Sequence, residues 1–99
     1  MQYVTNGRAY WTVRVGGYEE AVPMQDGEQA DYYVYREHPS PMASVCVGYL
    51  ARVRSSGTWR AYDDKGARLS DQDHMPMALA DVAIAREVRG AAMIAARSR

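Results

Sequence analysis

Arg52, Arg54, Arg60 and Tyr62 are the residues of this chain whose types and spacing best suit recognition chemistry. Arginine presents a planar fork of donors that matches phosphate or carboxylate, and tyrosine joins a rigid apolar body to a polar tip. Mixed on one surface, they fit an acidic protein or a nucleic acid. Tyr32, Tyr33 and Tyr35, beside Asp31 and Glu37, form a second candidate, a protein-binding patch with large contact area at low entropic cost. The chain has eight tyrosines and no phenylalanine. A core needs aromatic bulk but gains nothing from so many hydroxyls, so some of these rings should reach the surface. The plainer reading of both groups is a solvated sheet face, its arginine stems lying along apolar surface and its tyrosine hydroxyls in water.

Other reactive groupings are weak. Asp71, Asp73 and His74, with Asp63 or Asp64, are potential metal donors, but a calcium loop counted from Asp63 would put Lys65 at its third ligand position and His74 at its twelfth. Helix capping explains Asp71 and Asp73 more simply. Cys46 lies between valines in a strand pattern, where a cysteine is normally a small inert hydrophobe. As the only cysteine it has no internal disulfide partner, which suits a reducing compartment. Glu19-Glu20 and Asp63-Asp64 are adjacent pairs, so in strands their carboxylates diverge and cannot share a proton-transfer task. No phosphate loop, dinucleotide fingerprint or nucleophile elbow is present. The expectation is a non-enzymatic protein with no catalytic, cofactor or metal site; a small metal protein or enzyme is the third-ranked reading.

The elements that would position these residues read mostly as strands. Asn6-Gly7 suits a two-residue hairpin turn, followed by a strand with Ala9, Trp11, Val13 and Val15 on one face and Tyr10, Thr12 and Arg14 on the other. The first set is expected in the core. Gly16-Gly17 permits a reversal into an edge strand over 18–24, and 25–29 is a loop. Residues 30–36 form an aromatic strand that the prolines at 39 and 41 end. Val45 to Val53 alternates most clearly and is expected at the centre, with Leu50, Arg52 and Arg54 on the solvent side. Ser55-Ser56-Gly57 leads to Thr58–Tyr62, where Arg60 and Tyr62 share a side, and a short strand over 67–69 follows the turn at 63–66. Ser70, Asp71 and Asp73 are expected to cap a long helix, with Met77, Ala80, Ile84, Val88, Ala91 and Ala95 as its packing stripe and Leu79, Val82 and Ala83 widening it.

These elements predict one α+β domain over 1–99: a single antiparallel sheet of about five to six strands with one long C-terminal helix across one face. The expected core is Trp11, Val13, Val47, Ala51, Val53, Trp59, Leu69, Ile84 and Val88. The chain carries no net charge, yet residues 1–44 are acidic on balance and 45–99 basic, an asymmetry that would suit two faces with different partners. No apolar span or basic leader is evident, so a cytoplasmic protein without membrane contact is expected. The breadth of the helix stripe allows a homodimer. The leading functional expectation is a module that binds another protein or protein complex, in the manner of a phage or mobile-element inhibitor of a host complex; nucleic acid is the alternative partner.

Overall fold

The structure, a computed structural model, describes the backbone of residues 1–16, 20–37 and 44–97 and side chains as far as Ala91 within those ranges. Six strands, β1 (Gln2–Thr5), β2 (Arg8–Arg14), β3 (Tyr32–Arg36), β4 (Val45–Val53), β5 (Thr58–Asp63) and β6 (Arg68–Gln72), precede the helix α1 (Met75–Arg97). They form one antiparallel meander in the order β1-β2-β3-β4-β5-β6. The helix touches all six strands, so the sheet curls around it as a half-barrel. The α+β architecture is thus the one its alternating segments and single helical pattern imply.

Local chemistry explains the turns. Asn6 and Gly7 both take positive φ (52° and 70°), as a type I′ hairpin requires. Residues 20–24, the described part of the edge strand expected over 18–24, do not form a strand. Pro23 instead makes an isolated bridge with Gln29 across the expected loop, and the segment 20–31 folds back over the sheet face opposite α1. Tyr18, Glu19 and the prolines at 39 and 41 lie outside the described residues. β6 is longer than expected and absorbs Ser70 and Asp71, which therefore do not cap α1. Ser70 instead donates to Asp81 Oδ2 (2.5 Å), as does Gln72 Nε2 (2.7 Å), tying β6 to the helix.

Gly48 decides which face receives the helix. A Cβ there would overlap the carbonyl oxygen of Tyr62 and lie 2.6 Å from Val82 Cγ1. Without one, α1 settles directly on β4. The residues buried beneath it are Tyr10, Val34, Val47, Leu50 and Ala61, facing Ala78, Leu79, Val82 and Ala83. In β2 this reverses the expected faces: Tyr10 is fully buried, whereas Trp11 and Val13 lie on the opposite side and Val13 is exposed. In β4 it places Leu50 and Arg52 on the helix side, while a bulge against β3 leaves Val47 as an extra residue that also packs there.

The packing stripe of α1 is correspondingly different. Ile84 and Val88 are 47% and 63% exposed, and Met77 and Leu69 are exposed too. The contact stripe is Ala78, Leu79, Val82 and Ala83, at one- and three-residue steps, so Ala78 and Ala83 let the helix approach the sheet backbone while Ile84 and Val88 fall on the outward side. Ala51 and Val53 are buried as expected, Trp59 partly so. A second core lies on the other face, where Met24 and Ala30 cover Ala51 and Tyr62.

Candidate functional site

The seven expected partner-binding residues do not share a surface. In an antiparallel pair, opposed residues share a face, and Arg52 is paired with Trp59, so Arg60 points the other way. Arg52, Arg54 and Tyr32 lie on the helix side; Arg60, Tyr62, Tyr33 and Tyr35 lie on the opposite side. The alternation of β4 misled because both of its faces are apolar.

On the helix side, Arg14, Arg52 and Arg54 line an open cleft of about 500 Å³, walled by Tyr32 and Trp59 and bordered by Asp31 and Gly57. The cross-strand row Arg14, Tyr32, Leu50, Ala61 brings Arg14 beside Tyr32, and the next row places Arg52 against Trp59. Asp31 binds the sheet together at this end. Its Oδ2 accepts the backbone N–H of Arg52 (2.7 Å), its N–H donates to Leu50 O (2.8 Å), and its carbonyl accepts from Val15 (3.0 Å). Tyr32 and Trp59 pack against the main core with ring centroids 6.0 Å apart, which fixes the wall.

On the opposite side, an aromatic row crosses three strands. Trp11 stacks on Tyr35 (6.3 Å, 20°), Tyr35 neighbours Tyr33 (6.1 Å), and Tyr33 neighbours Tyr49 (6.0 Å). Val13, opposite Tyr33 in the register, extends it. All four rings are only partly buried. The Tyr33 hydroxyl donates to Glu20, and that bond, with a little desolvation, pushes the phenol up to about 12.

Arg60 and Tyr62 are occupied internally. Tyr62 is fully buried and its hydroxyl donates to Asp26 Oδ2 (2.9 Å); Arg60 donates to the same oxygen (3.0 Å) and through Nε to Asp71 (2.7 Å). Arg68 also engages Asp71. Burial, then the bond to Asp26, raises the Tyr62 phenol well above its ordinary value. Partial burial would raise the Asp26 carboxyl, but donation from the Glu28 N–H, Tyr62 and Arg60 outweighs it and holds it below the usual range. Arg60 first, then Arg68, lowers Asp71. These two carboxylates therefore favour the folded state fully above the ordinary aspartate value of about 3.9, and that contribution is lost as pH falls through their depressed folded values. Denaturation at stepped pH should show the wild type losing stability below about pH 4, with the loss diminished in Asp26→Asn and Asp71→Asn. An unchanged acid limb in both variants would refute this role for the two carboxylates.

Asp71 is thus committed to arginines, and among the described residues no three His, Cys, Asp or Glu side chains gather as a metal cluster. Among the described residues no helix is long and apolar enough to cross a membrane. Sequence reasoning missed Arg14, Asp31 and Trp59 in the cleft and Trp11, Val13 and Tyr49 in the row. The available signal was Gly48: a glycine inside a strand marks a close approach of another element. Assigning the helix to its face would have placed Leu50 and Arg52 correctly. Compared with known proteins, the chain matches no family, no curated relative and no solved structure.

Proposed function

We propose that this chain is a non-enzymatic interaction module that binds another protein through the open aromatic face of its sheet. The observation that carries this reading is the row Trp11, Tyr35, Tyr33 and Tyr49 with exposed Val13, a set of rigid rings that the core leaves partly uncovered. Aromatic side chains with an apolar body and polar tip dominate the energetics of protein interfaces. The charges around the row favour a partner with lysine or arginine among apolar side chains. Glu20 stands at its edge, and the two arginines described on this side, Arg60 and Arg68, are already engaged by carboxylates. A phosphate backbone would find little attraction here, whereas a partner's cation over a tyrosine or tryptophan ring gains further stabilisation. A small chain of this kind acts by occupying a surface, as an inhibitor of a larger complex does.

The test is capture of partner proteins by the wild-type chain, followed by affinity measurement with the purified partner. Trp11→Ala and Tyr35→Ala are each expected to weaken binding by about 2 kcal/mol, near thirtyfold, as central aromatic anchors do. Arg54→Ala, on the other face, should leave it unchanged. A partner that binds both aromatic variants as tightly as the wild type would remove this reading.

A further inference from the structure

We infer that the cleft between Arg14, Arg52 and Arg54 binds a nucleoside phosphate, its anionic group held by the three guanidiniums and its base laid against the Tyr32 and Trp59 wall. This site lies on the other side of the sheet from the aromatic row and is independent of it.

The charge distribution is the starting point. Arg8, Arg60, Arg68, Arg86 and Arg89 each lie within ion-pair distance of a carboxylate. Among the described residues, the arginines with no such partner are Arg14, Arg36, Arg52 and Arg54, and three of these four line one cleft. They arrive from different places: the end of β2, the middle of the sheet in β4, and the turn beyond it. Like charges drawn together repel. The single carboxylate there among the described residues, Asp31, already accepts the Arg52 backbone N–H and cannot balance three cations. The cleft is therefore electropositive in a chain of zero net charge.

Phosphate fits this arrangement better than carboxylate. It carries more charge and more acceptor oxygens, and three planar forks offer more donors than two carboxylate oxygens accept. The wall adds a second requirement. Tyr32 and Trp59, held by core packing, are tilted at 51° to one another and line the same cleft as the three arginines. A ligand carrying only phosphate would leave that apolar surface in water, whereas a base stacks on it irrespective of sequence. A volume of about 500 Å³ suits one small ligand or a single unpaired nucleotide, not a duplex. Gly57 itself contributes no side chain, and a Cβ built there meets nothing, so the cleft is open at that position.

The experiment uses the full chain carrying Trp11→Phe, so that Trp59 is the sole tryptophan reporter. Its fluorescence is titrated with adenosine triphosphate, an eight-nucleotide oligothymidylate, inorganic phosphate and a glutamate-rich peptide. Saturable quenching by the nucleotide or the oligonucleotide is expected, at least tenfold tighter than by phosphate or peptide. The tighter of the two identifies the source as a free nucleotide or a single strand. For the oligonucleotide, three phosphate contacts predict a log–log salt slope of about −2. Arg52→Ala with Arg54→Ala should weaken binding at least tenfold. Arg14→Ala alone, at the end of β2, is the second variant should the pair disturb β4, and thermal melting verifies that each remains folded. Trp59→Leu, followed by calorimetry, should weaken nucleotide binding about tenfold and leave inorganic phosphate binding unchanged. Absence of saturation by nucleotide and oligonucleotide, arginine variants that bind as the wild type does, or tighter binding of the acidic peptide would each overturn the proposal.

Discussion

Gly48→Ala should destabilise the protein by about 3 kcal/mol, while Gly90→Ala, the same substitution elsewhere, should stabilise it by about 0.5–1 kcal/mol. At Gly48 the added carbon meets Val82 Cγ1 at 2.6 Å and overlaps the Tyr62 carbonyl, so neither helix nor strand can yield cheaply. The side chain in the way belongs to the centre of the helix contact, and the backbone atom belongs to the neighbouring strand of a paired ladder. Relief requires lifting α1 from the sheet, which opens space beneath Leu79 and Leu50 together. At Gly90 a Cβ meets nothing, and alanine replaces the worst ordinary helix former in mid-helix. Urea denaturation of both variants measures the difference. A pair of glycines that responded alike would mean that the helix does not rest on β4 as described.

Tyr62→Ala should cost about 3–5 kcal/mol, and Tyr62→Phe only about 1 kcal/mol. The ring is fully buried between the sheet and the segment 20–31, packed with Met24, Ala30 and Ala51, so its removal leaves a cavity that the surroundings cannot fill. The hydroxyl contributes one bond to Asp26, which keeps Arg60 (3.0 Å) and the Glu28 N–H (3.0 Å) when it is gone. Loss of the ring should also loosen the covering segment. Its amides are held by Met24 to Glu28 (2.8 Å), Ala30 to Val22 (2.9 Å) and Gln25 to Gly66 (3.0 Å). Hydrogen exchange at Met24, Gln25 and Ala30 should therefore accelerate in Tyr62→Ala and stay near wild type in Tyr62→Phe. Equal stability of the two variants would show that the segment does not cover Tyr62.

Much of the fold is legible along the chain. Asn6-Gly7, Ser56-Gly57 and Asp64-Lys65-Gly66 break the alternation where the strands turn, and Gly57 and Gly66 take the positive φ such turns use. The tyrosine excess correctly implied aromatic surface, which Tyr33 and Tyr35 provide. Reading the candidate site required one further fact, the face on which the helix lies. β4 is apolar on both sides because α1 covers one and residues 20–31 cover part of the other, so the period-two pattern that identifies a strand could not orient this one.

Sequence by itself determined the six strands that form, the helix after them and the antiparallel sheet, since turn chemistry and hydrophobic period act between near neighbours. It also implied an edge strand after Gly17 whose described part is not one. Tertiary structure alone decided which arginines were free. Arg60 met Asp26 and Asp71, whereas Arg14 and Arg52 were brought to Tyr32 and Trp59 by strand register and by a helix docked on Gly48. Pairing of that kind joins residues far apart in the chain, and its outcome depends on close packing that no local pattern encodes.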